Sequence, residues 1–331
     1  MMWFKKSGEC DDVCISTRIR LARNIEKIPF PPKYTDEEAL EITKSVREAL
    51  KDDEFNFLNL DNAPEKNVGA LVEEHIISPE MKQGKNKSVL INKEETVSIM
   101  LGEEDHIRLQ VILPGFDLKK AYEISDKLDD KISKKVKYAY HEEYGFLTKC
   151  PTNAGTGLRA SVMLYLPAIR MAGKMNSLIG EVGKMGLTFR GVYGEGTGSK
   201  GDMYQLSNQI TLGISEEKII EKLESIAKQI IKLERDLREN FLKERKAEIE
   251  DSVYRAYGIL KYAKRISSEE CSKLLSTVKL GICLGLIDKT DLKKINELII
   301  TTEPYHISLA DESIKTAEDR DRHRALLVNN I

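Results

Sequence analysis

Three short β-rich segments, residues 88–92, 95–101 and 106–113, stand so close together that no crossover helix fits between them. Strands joined this tightly pair antiparallel, because parallel neighbours need a connection of a dozen or more residues. The connections between these segments are thus too short for βαβ crossovers, which suggests antiparallel strands. Residues 35–51 (TDEEALEITKSVREALK) read as an amphipathic helix with acidic residues in its first turn, and 117–135 read as another. The Pro/Asn/Gly-rich loop 145–160 leads into a helix expected near 159–173, and strands are expected at 187–193 and 204–213. Between those strands GEGTGSKGD (194–202) has four glycines in nine positions, which predicts a mobile loop. After Ile214 long, charged, helix-period segments take over, such as EEKIIEKLESIAKQIIKLERDLREN and DSVYRAYGILKYAKR. The expected fold class is α+β: an antiparallel-sheet unit flanked by helices over 1–240, then a helical domain over 241–331.

A length of 331 residues suits two domains, and a hydrophobic content of 41% supplies a sizeable core. Charged residues reach 32%, yet the formal net charge is only -2, so no global basic field argues for a nucleic-acid partner. The five cysteines, Cys10, Cys14, Cys150, Cys271 and Cys283, are odd in number and form no CxxC pair, which argues against a disulfide framework or a zinc site. The start, MMWFKKSGECDD, lacks the apolar core of a signal peptide, and no stretch has the length of a membrane span. The expectation is a soluble cytoplasmic protein with reduced thiols and no membrane partner.

Arginines in polar or glycine-rich settings carry the chemistry. Arg18 and Arg20 sit two apart in STRIR, Arg108 ends EEDHIR, Arg159 follows TNAGTGL and Arg190 opens RGVYGEGTG. On a strand, residues two apart share a face. Planar guanidinium groups clamp phosphate oxygens through paired hydrogen bonds, and a triphosphate needs several such clamps. Taken singly, each arginine reads as a surface ion-pair partner. No GxxxxGK[ST] loop and no HRD or DFG set occurs, and Gly155–Ala160 fits GxGxxA without a surrounding βαβ unit. Glu103-Glu104-Asp105 and Glu195 could orient a guanidinium and accept its proton, although by itself the first run reads more simply as a solvated hairpin end. Cys150, beside Lys149 and ahead of an expected helix, is a candidate thiolate or an inert buried cysteine. His75 could touch a nucleotide or be a satisfied core histidine.

Four ordered stretches, STRIRLARN (16–24), GEEDHIRLQ (102–110), CPTNAGTGLRASV (150–162) and RGVYGEGT (190–197), resemble the ATP:guanido phosphotransferase family, which includes creatine and arginine kinases. The resemblance covers about residues 13–240 and implies a guanido-kinase catalytic domain that takes the γ-phosphoryl group from ATP with Mg2+. By position, Ser16, Thr17, Arg18, Ile19, Arg20, His75, Arg108, Arg159, Ala160, Ser161, Val162, Met163, Arg190, Gly191, Val192, Tyr193, Gly194 and Glu195 match the family's ATP-binding segments. Glu104 matches its catalytic glutamate, Glu195 the second carboxylate of arginine kinases and Cys150 the reactive cysteine beside the guanidinium. No dedicated protein ligand set for Mg2+ is visible. Thr17 and Ala154 depart from the commoner serine and leucine without removing a charge.

Within the family the chain is most similar to bacterial protein-arginine kinases. STRIR begins at residue 16, whereas the small-molecule enzymes carry a helical domain first. Arg320-Asp321-Arg322-His323-Arg324-Ala325 fits the RDxxRA motif of that branch, which implies an allosteric phosphoarginine pocket; on charge pattern alone it would be a solvated basic cluster. The helical tail resembles that branch's dimerisation domain, so 241–331 is expected to be regulatory and the protein a homodimer or higher assembly. The resemblance also implies marking of proteins for Clp-type degradation in stress response, with the repressor CtsR, a McsA-type activator and ClpC as partners. The alternatives are a free-arginine kinase and a non-catalytic adaptor that binds phosphoarginine.

Overall fold

Alternating burial sets the sheet. In Cys14–Arg23 (β1), Ile19 and Leu21 are buried while Arg18 and Arg20 point the other way. In the computed structural model, which describes residues 2–191, 199–288 and 290–331, nine further strands follow among the described residues. They are Phe55–Asn59 (β2), Ser88–Asn92 (β3), Val97–Leu101 (β4), Ile107–Pro114 (β5), Tyr140–His141 (β6), Gly145–Phe146 (β7), Leu158–Tyr165 (β8), Leu187–Gly191 (β9) and Met203–Asn208 (β10). With β1, seven of them form one eight-stranded sheet in the order β2-β3-β4-β5-β1-β8-β10-β9, while β6 and β7 make a separate ribbon. Every pairing is antiparallel, and the tight β3-β4-β5 meander matches the spacing of its segments.

One face of the sheet is covered by helices. Asp36–Ala49 (α1) starts at a capping box between Thr35 and Glu38 and buries Ala39, Ile42 and Val46. Full burial of an Ile or Val side chain contributes about 1.5–3 kcal/mol. Glu65–Glu73 (α2) lies beyond the sheet's other face, whereas Leu118–Ser133 (α3), Pro167–Met171 (α4), Met175–Lys184 (α5) and the 29-residue Glu216–Glu244 (α6) complete the helical layer. In α6, Ile219, Leu223, Ala227, Ile230, Glu234 and Arg238 follow a helical period toward the sheet. The remaining helices are Lys246–Tyr262 (α7), Ser268–Cys283 (α8), Leu292–Thr301 (α9), Pro304–Ala310 (α10) and Ala317–Val328 (α11). Residues from α7, α8, α9 and α11 build a separate apolar cluster around Val253, Leu260, Leu275 and Ile295.

The opposite face of the sheet is half covered. Trp3, Phe4, Ile76, Ile77 and Met81 pack on Val89, Met100 and Ile112 at one end. The uncovered part is the wall of a cleft.

Two expectations are corrected. The helix expected near 159–173 is strand β8 followed by the single turn of α4. Leu158, Ala160, Val162 and Leu164 are fully buried while Arg159 and Met163 between them are not, a period of two. Ladder bonds to β1 on one side and β10 on the other override the helix propensity of Ala, Met and Leu. The strand expected to reach residue 213 ends at Asn208, whose amide donates to the carbonyls of Leu158 at 3.0 Å and Ile210 at 3.2 Å. The loop expected at 194–202 and the end of the strand expected at 187–193 fall largely outside the described residues.

Candidate active site

Strand register gathers the arginines. Arg20 lies opposite Arg159 on β8 and Gln110 on β5, Arg18 opposite Ser161, and Arg108 opposite Ala22. Arg190 lies opposite Gln205, which in turn lies opposite Met163. Opposed residues of an antiparallel pair share a face. Arg18, Arg20, Arg108, Arg159 and Arg190, drawn from four strands, therefore line one cleft of about 940 Å3, a volume suited to a nucleotide-sized ligand.

Neutral side chains hold part of this cluster. Arg18 Nη2 donates to Gln205 Oε1 at 2.8 Å, and Arg159 Nη2 donates to Ser207 Oγ at 3.2 Å. The Nε atoms of Arg20 and Arg159 are enclosed without a hydrogen-bond partner among the described residues. Burial pushes the Arg20 guanidinium well below its usual pKa, and Arg108, Arg18 and Arg159 push the same way. Burial, Arg190 and Arg108 lower that of Arg159. Like charges set directly opposite one another destabilise a sheet, and enclosed donors without acceptors cost further free energy. An anion rich in oxygens removes both costs, which is the fit a triphosphate offers.

An acidic rim faces the arginines from the turn between β4 and β5. The expected solvated hairpin end is corrected here, because Glu103 and Asp105 are buried. Glu103 pairs with Arg108, accepts from Ser78 Oγ at 2.7 Å and accepts from the Glu104 N–H at 2.7 Å. Burial alone would raise its pKa, but Arg108 and these donors hold it below the usual range. Asp105 accepts from Asn24 Nδ2 at 2.6 Å and from the Lys149 N–H at 2.7 Å. His106 locks the turn, accepting from the Ile25 N–H at 3.0 Å and contacting the Pro29 carbonyl at 2.9 Å. Glu104 is left facing the cleft, with its pKa raised by burial, Asp105 and Glu103. A carboxylate made more basic in this way is suited to accept a proton.

His75 adopts a left-handed backbone with φ of 59° and lines the cleft beside Arg18. Burial and Arg18 lower its pKa to about 3, so the ring is neutral near pH 7. Cys150 also lines the cleft, with Sγ 3.0 Å from Thr152 Oγ1. The helix expected behind it is a three-residue 3-10 turn, Pro151–Asn153, so no long helix N-terminus acts on the thiol. The chain then enters β8 through Gly157 (φ +65°), where a Cβ would lie 2.6 Å from both the Ala22 carbonyl and Arg23 Nη1.

Not every matched residue reaches the cleft. Thr17, Ile19, Ala160 and Val162 project to the helical face; Thr17 Oγ1 donates to the Gly115 carbonyl at 2.8 Å. Val192, Tyr193, Gly194 and Glu195 lie outside the described residues. Arg320, Asp321, Arg322, His323, Arg324 and Ala325 are on α11 and line no part of this cleft. Within that run the expected solvated cluster is corrected at Arg324, which is 1% exposed and donates to the Thr302 and Ile266 carbonyls, both at 2.9 Å. Sequence reasoning missed Gln205, Ser207, Ser78 and Asn24; the two-residue spacing of Gln205 and Ser207 was the available signal for the first pair. Among the described residues no group of three or more His, Cys, Asp or Glu could hold a metal ion, and no helix is long and apolar enough to cross a membrane.

Residues 38–237 match the family description "ATP:guanido phosphotransferase, C-terminal catalytic domain", and residues 246–331 match "Protein-arginine kinase McsB C-terminal domain". A protein-arginine kinase of Halothermothrix orenii is 44% identical over 98% of this chain and 95% of its own length. That of Bacillus subtilis is 43% identical over 98% of this chain and 92% of its own. Among solved structures, a lombricine kinase superposes with a TM-score of 0.63 at 26% identity, covering 71% of this chain and 70% of its own. The chain belongs to the ATP:guanido phosphotransferase family and, within it, to the branch of the protein-arginine kinases.

Proposed function

We propose that the chain moves the γ-phosphoryl group of ATP onto a guanidinium nitrogen of arginine side chains carried on proteins. The observation that carries this is the cleft itself, with five arginines on one wall and Glu104 facing them. The bond from the γ-phosphorus to the bridging oxygen breaks as the N–P bond forms, ADP leaves, and the guanidinium proton passes to Glu104. Arg18, Arg20, Arg108, Arg159 and Arg190 neutralise the phosphates and the charge spread over the migrating group, since such transfers depend on positioning and electrostatics. Mg2+ bound with ATP would be held chiefly by phosphate and water, and would offset part of the phosphate charge beside the five arginines. Neutral His75 and Met163 supply an uncharged part of the wall for the nucleotide. Glu195 supports Glu104, and Cys150 orients the substrate guanidinium.

The same reading divides the chain into a catalytic domain, 1–240, and a dimerisation and regulatory domain, 241–331. It makes Arg320–Ala325 an allosteric phosphoarginine site and places the protein in the cytoplasm as a homodimer or larger assembly. CtsR, a McsA-type activator and ClpC are its partners, and its products are marked for degradation under stress. The test is incubation with ATP and either an unfolded arginine-containing protein or free arginine. The quench avoids acid, because the N–P bond is acid-labile, and products are read by mass spectrometry. One added phosphoryl group on protein arginine is expected; transfer to free arginine alone, or no transfer, overturns the proposal.

A further inference from the structure

We infer that the helical C-terminal unit positions the active site through one docked turn, Lys200–Asp202, with Lys200 as the positioning residue; the inference rests on the kinase reading above. Ser268, Ser272 and Ser276 are spaced by four along α8 and so stand on one face. Each meets one residue of the turn. Lys200 Nζ donates to Ser268 Oγ at 3.2 Å and pairs with Glu303 at the head of α10. Gly201 packs so close that a Cβ would lie 2.8 Å from Ser272 Oγ. Ser276 Oγ donates to Asp202 Oδ2 at 2.6 Å. Gly201 and Asp202 have φ of 62° and 59°, a backbone shape that few residues accept.

The turn is tied to the catalytic unit as firmly as to α8. Asp202 pairs with Arg170, and its carbonyl accepts from the Leu166 N–H at 3.0 Å. The next residues form β10, whose Gln205 holds Arg18 and whose Ser207 holds Arg159. In sequence, the turn also closes the stretch that begins at Arg190 on β9. A cavity of about 50 Å3 lies between the turn and Ser16, His75 and Met163, so the seat is set one layer from the nucleotide wall. On the helical side, buried Arg324 fixes the seat. It donates to the carbonyl of Thr302, the residue before Glu303, and to that of Ile266, two residues before Ser268. One arginine thus bonds the backbone just ahead of both residues that grip Lys200, so a shift of α8 against α10 would move the turn.

The test compares Lys200→Met, Lys200→Arg, Glu303→Gln and Gly201→Ala in the full chain, with kcat, equilibrium binding of a fluorescent ADP analogue, and thermal melting. A misplacement of this kind costs between about 10- and 100-fold in rate. Lys200→Met and Glu303→Gln are each expected to lower kcat within that range, with nucleotide affinity unchanged within about twofold. The double variant should be no slower than the slower single variant, and Lys200→Arg should recover most of the rate. Parental kcat in a folded Lys200→Met protein, a parallel fall in nucleotide affinity, or failure of Lys200→Arg to rescue overturns the inference. Should Lys200→Met not fold, Glu303→Gln and Gly201→Ala carry the same expectation. A parent that transfers nothing to arginine sinks the kinase reading, whereas an active parent with equally active variants sinks only this inference.

Discussion

Arg20 on β1 and Arg238 on α6 stand on opposite sides of the same sheet, one at the cleft and one behind it. Behind the sheet each nitrogen of the Arg238 guanidinium is engaged. Arg238 Nε donates to Glu234 at 2.8 Å, Nη1 to the Asp12 carbonyl at 3.2 Å and Nη2 to the Tyr165 carbonyl at 3.2 Å. Glu234 itself accepts from the N–H groups of Ala168 at 3.0 Å and Ile169 at 2.9 Å. Burial alone would lower the pKa of Arg238, but Glu234 and its neighbours raise it. In the cleft, Arg20 has other arginines for neighbours and an enclosed Nε with no partner among the described residues. Arg23 makes the contrast within a single strand. Three residues from Arg20 and on the other face, it pairs with Asp129 at 2.8 Å, donates to two carbonyls and lies 3.7 Å from the Phe146 ring centre. A satisfied guanidinium holds structure together; a crowded one with an open donor is arranged for an anion that arrives later.

The sharpest way to break this contrast is Arg20→Met. If the cleft arginines serve the migrating phosphoryl group, turnover should fall by roughly 10^3-fold or more, the scale of an arginine that stabilises transition-state charge. Thermal stability should stay level or rise, because a like charge leaves the cluster. Steady-state kinetics beside a melting curve reads both. A variant that melts early while its folded fraction keeps full turnover would make Arg20 a structural residue like Arg238.

Arg238→Met should do the reverse. It leaves Glu234 buried without its cation, and breaking a buried pair in this way costs about 3–5 kcal/mol. Denaturant unfolding should show that loss, while turnover per folded molecule stays near the parent's. A loss well under 1 kcal/mol would mean that the Ala168 and Ile169 N–H groups alone satisfy Glu234.

Much of this contrast could be read from residue order, and the unread part has physical causes. The β3-β4-β5 meander followed from connections too short for crossovers, and α1 from Thr35 and the acidic residues after it. Arg18 and Arg20 declared a shared face by their spacing. Arg159 did not, because its strand is made by partners on both edges and its own residues favour helix. The burial of Glu103 depends on Ser78, a residue from another part of the chain, and on Arg108 across the turn. Gln205 became a site residue only once register set it between Met163 and Arg190. Local pattern named the charged groups; pairing decided which of them meet.

The smallest effect tests whether enclosure in the cleft, beside Arg18, keeps His75 neutral. Its folded pKa of about 3 lies below the ordinary 6.5, chiefly through burial and then through Arg18. Between those values the unfolded chain binds a proton at this residue and the folded chain does not, so stability falls as pH drops through that window. The slope from one such group is about 1.4 kcal/mol per pH unit. His75→Gln removes it. The difference in unfolding free energy between parent and variant should therefore change with pH from just below 6 down to 4, and should be flat above 7. The carboxylates titrate in both proteins and largely cancel from that difference. A difference that stays flat across the whole range would show that the ring takes up its proton as readily in the cleft as in water. Neither the enclosure of the cleft wall nor the charge of Arg18 would then bear on the ring.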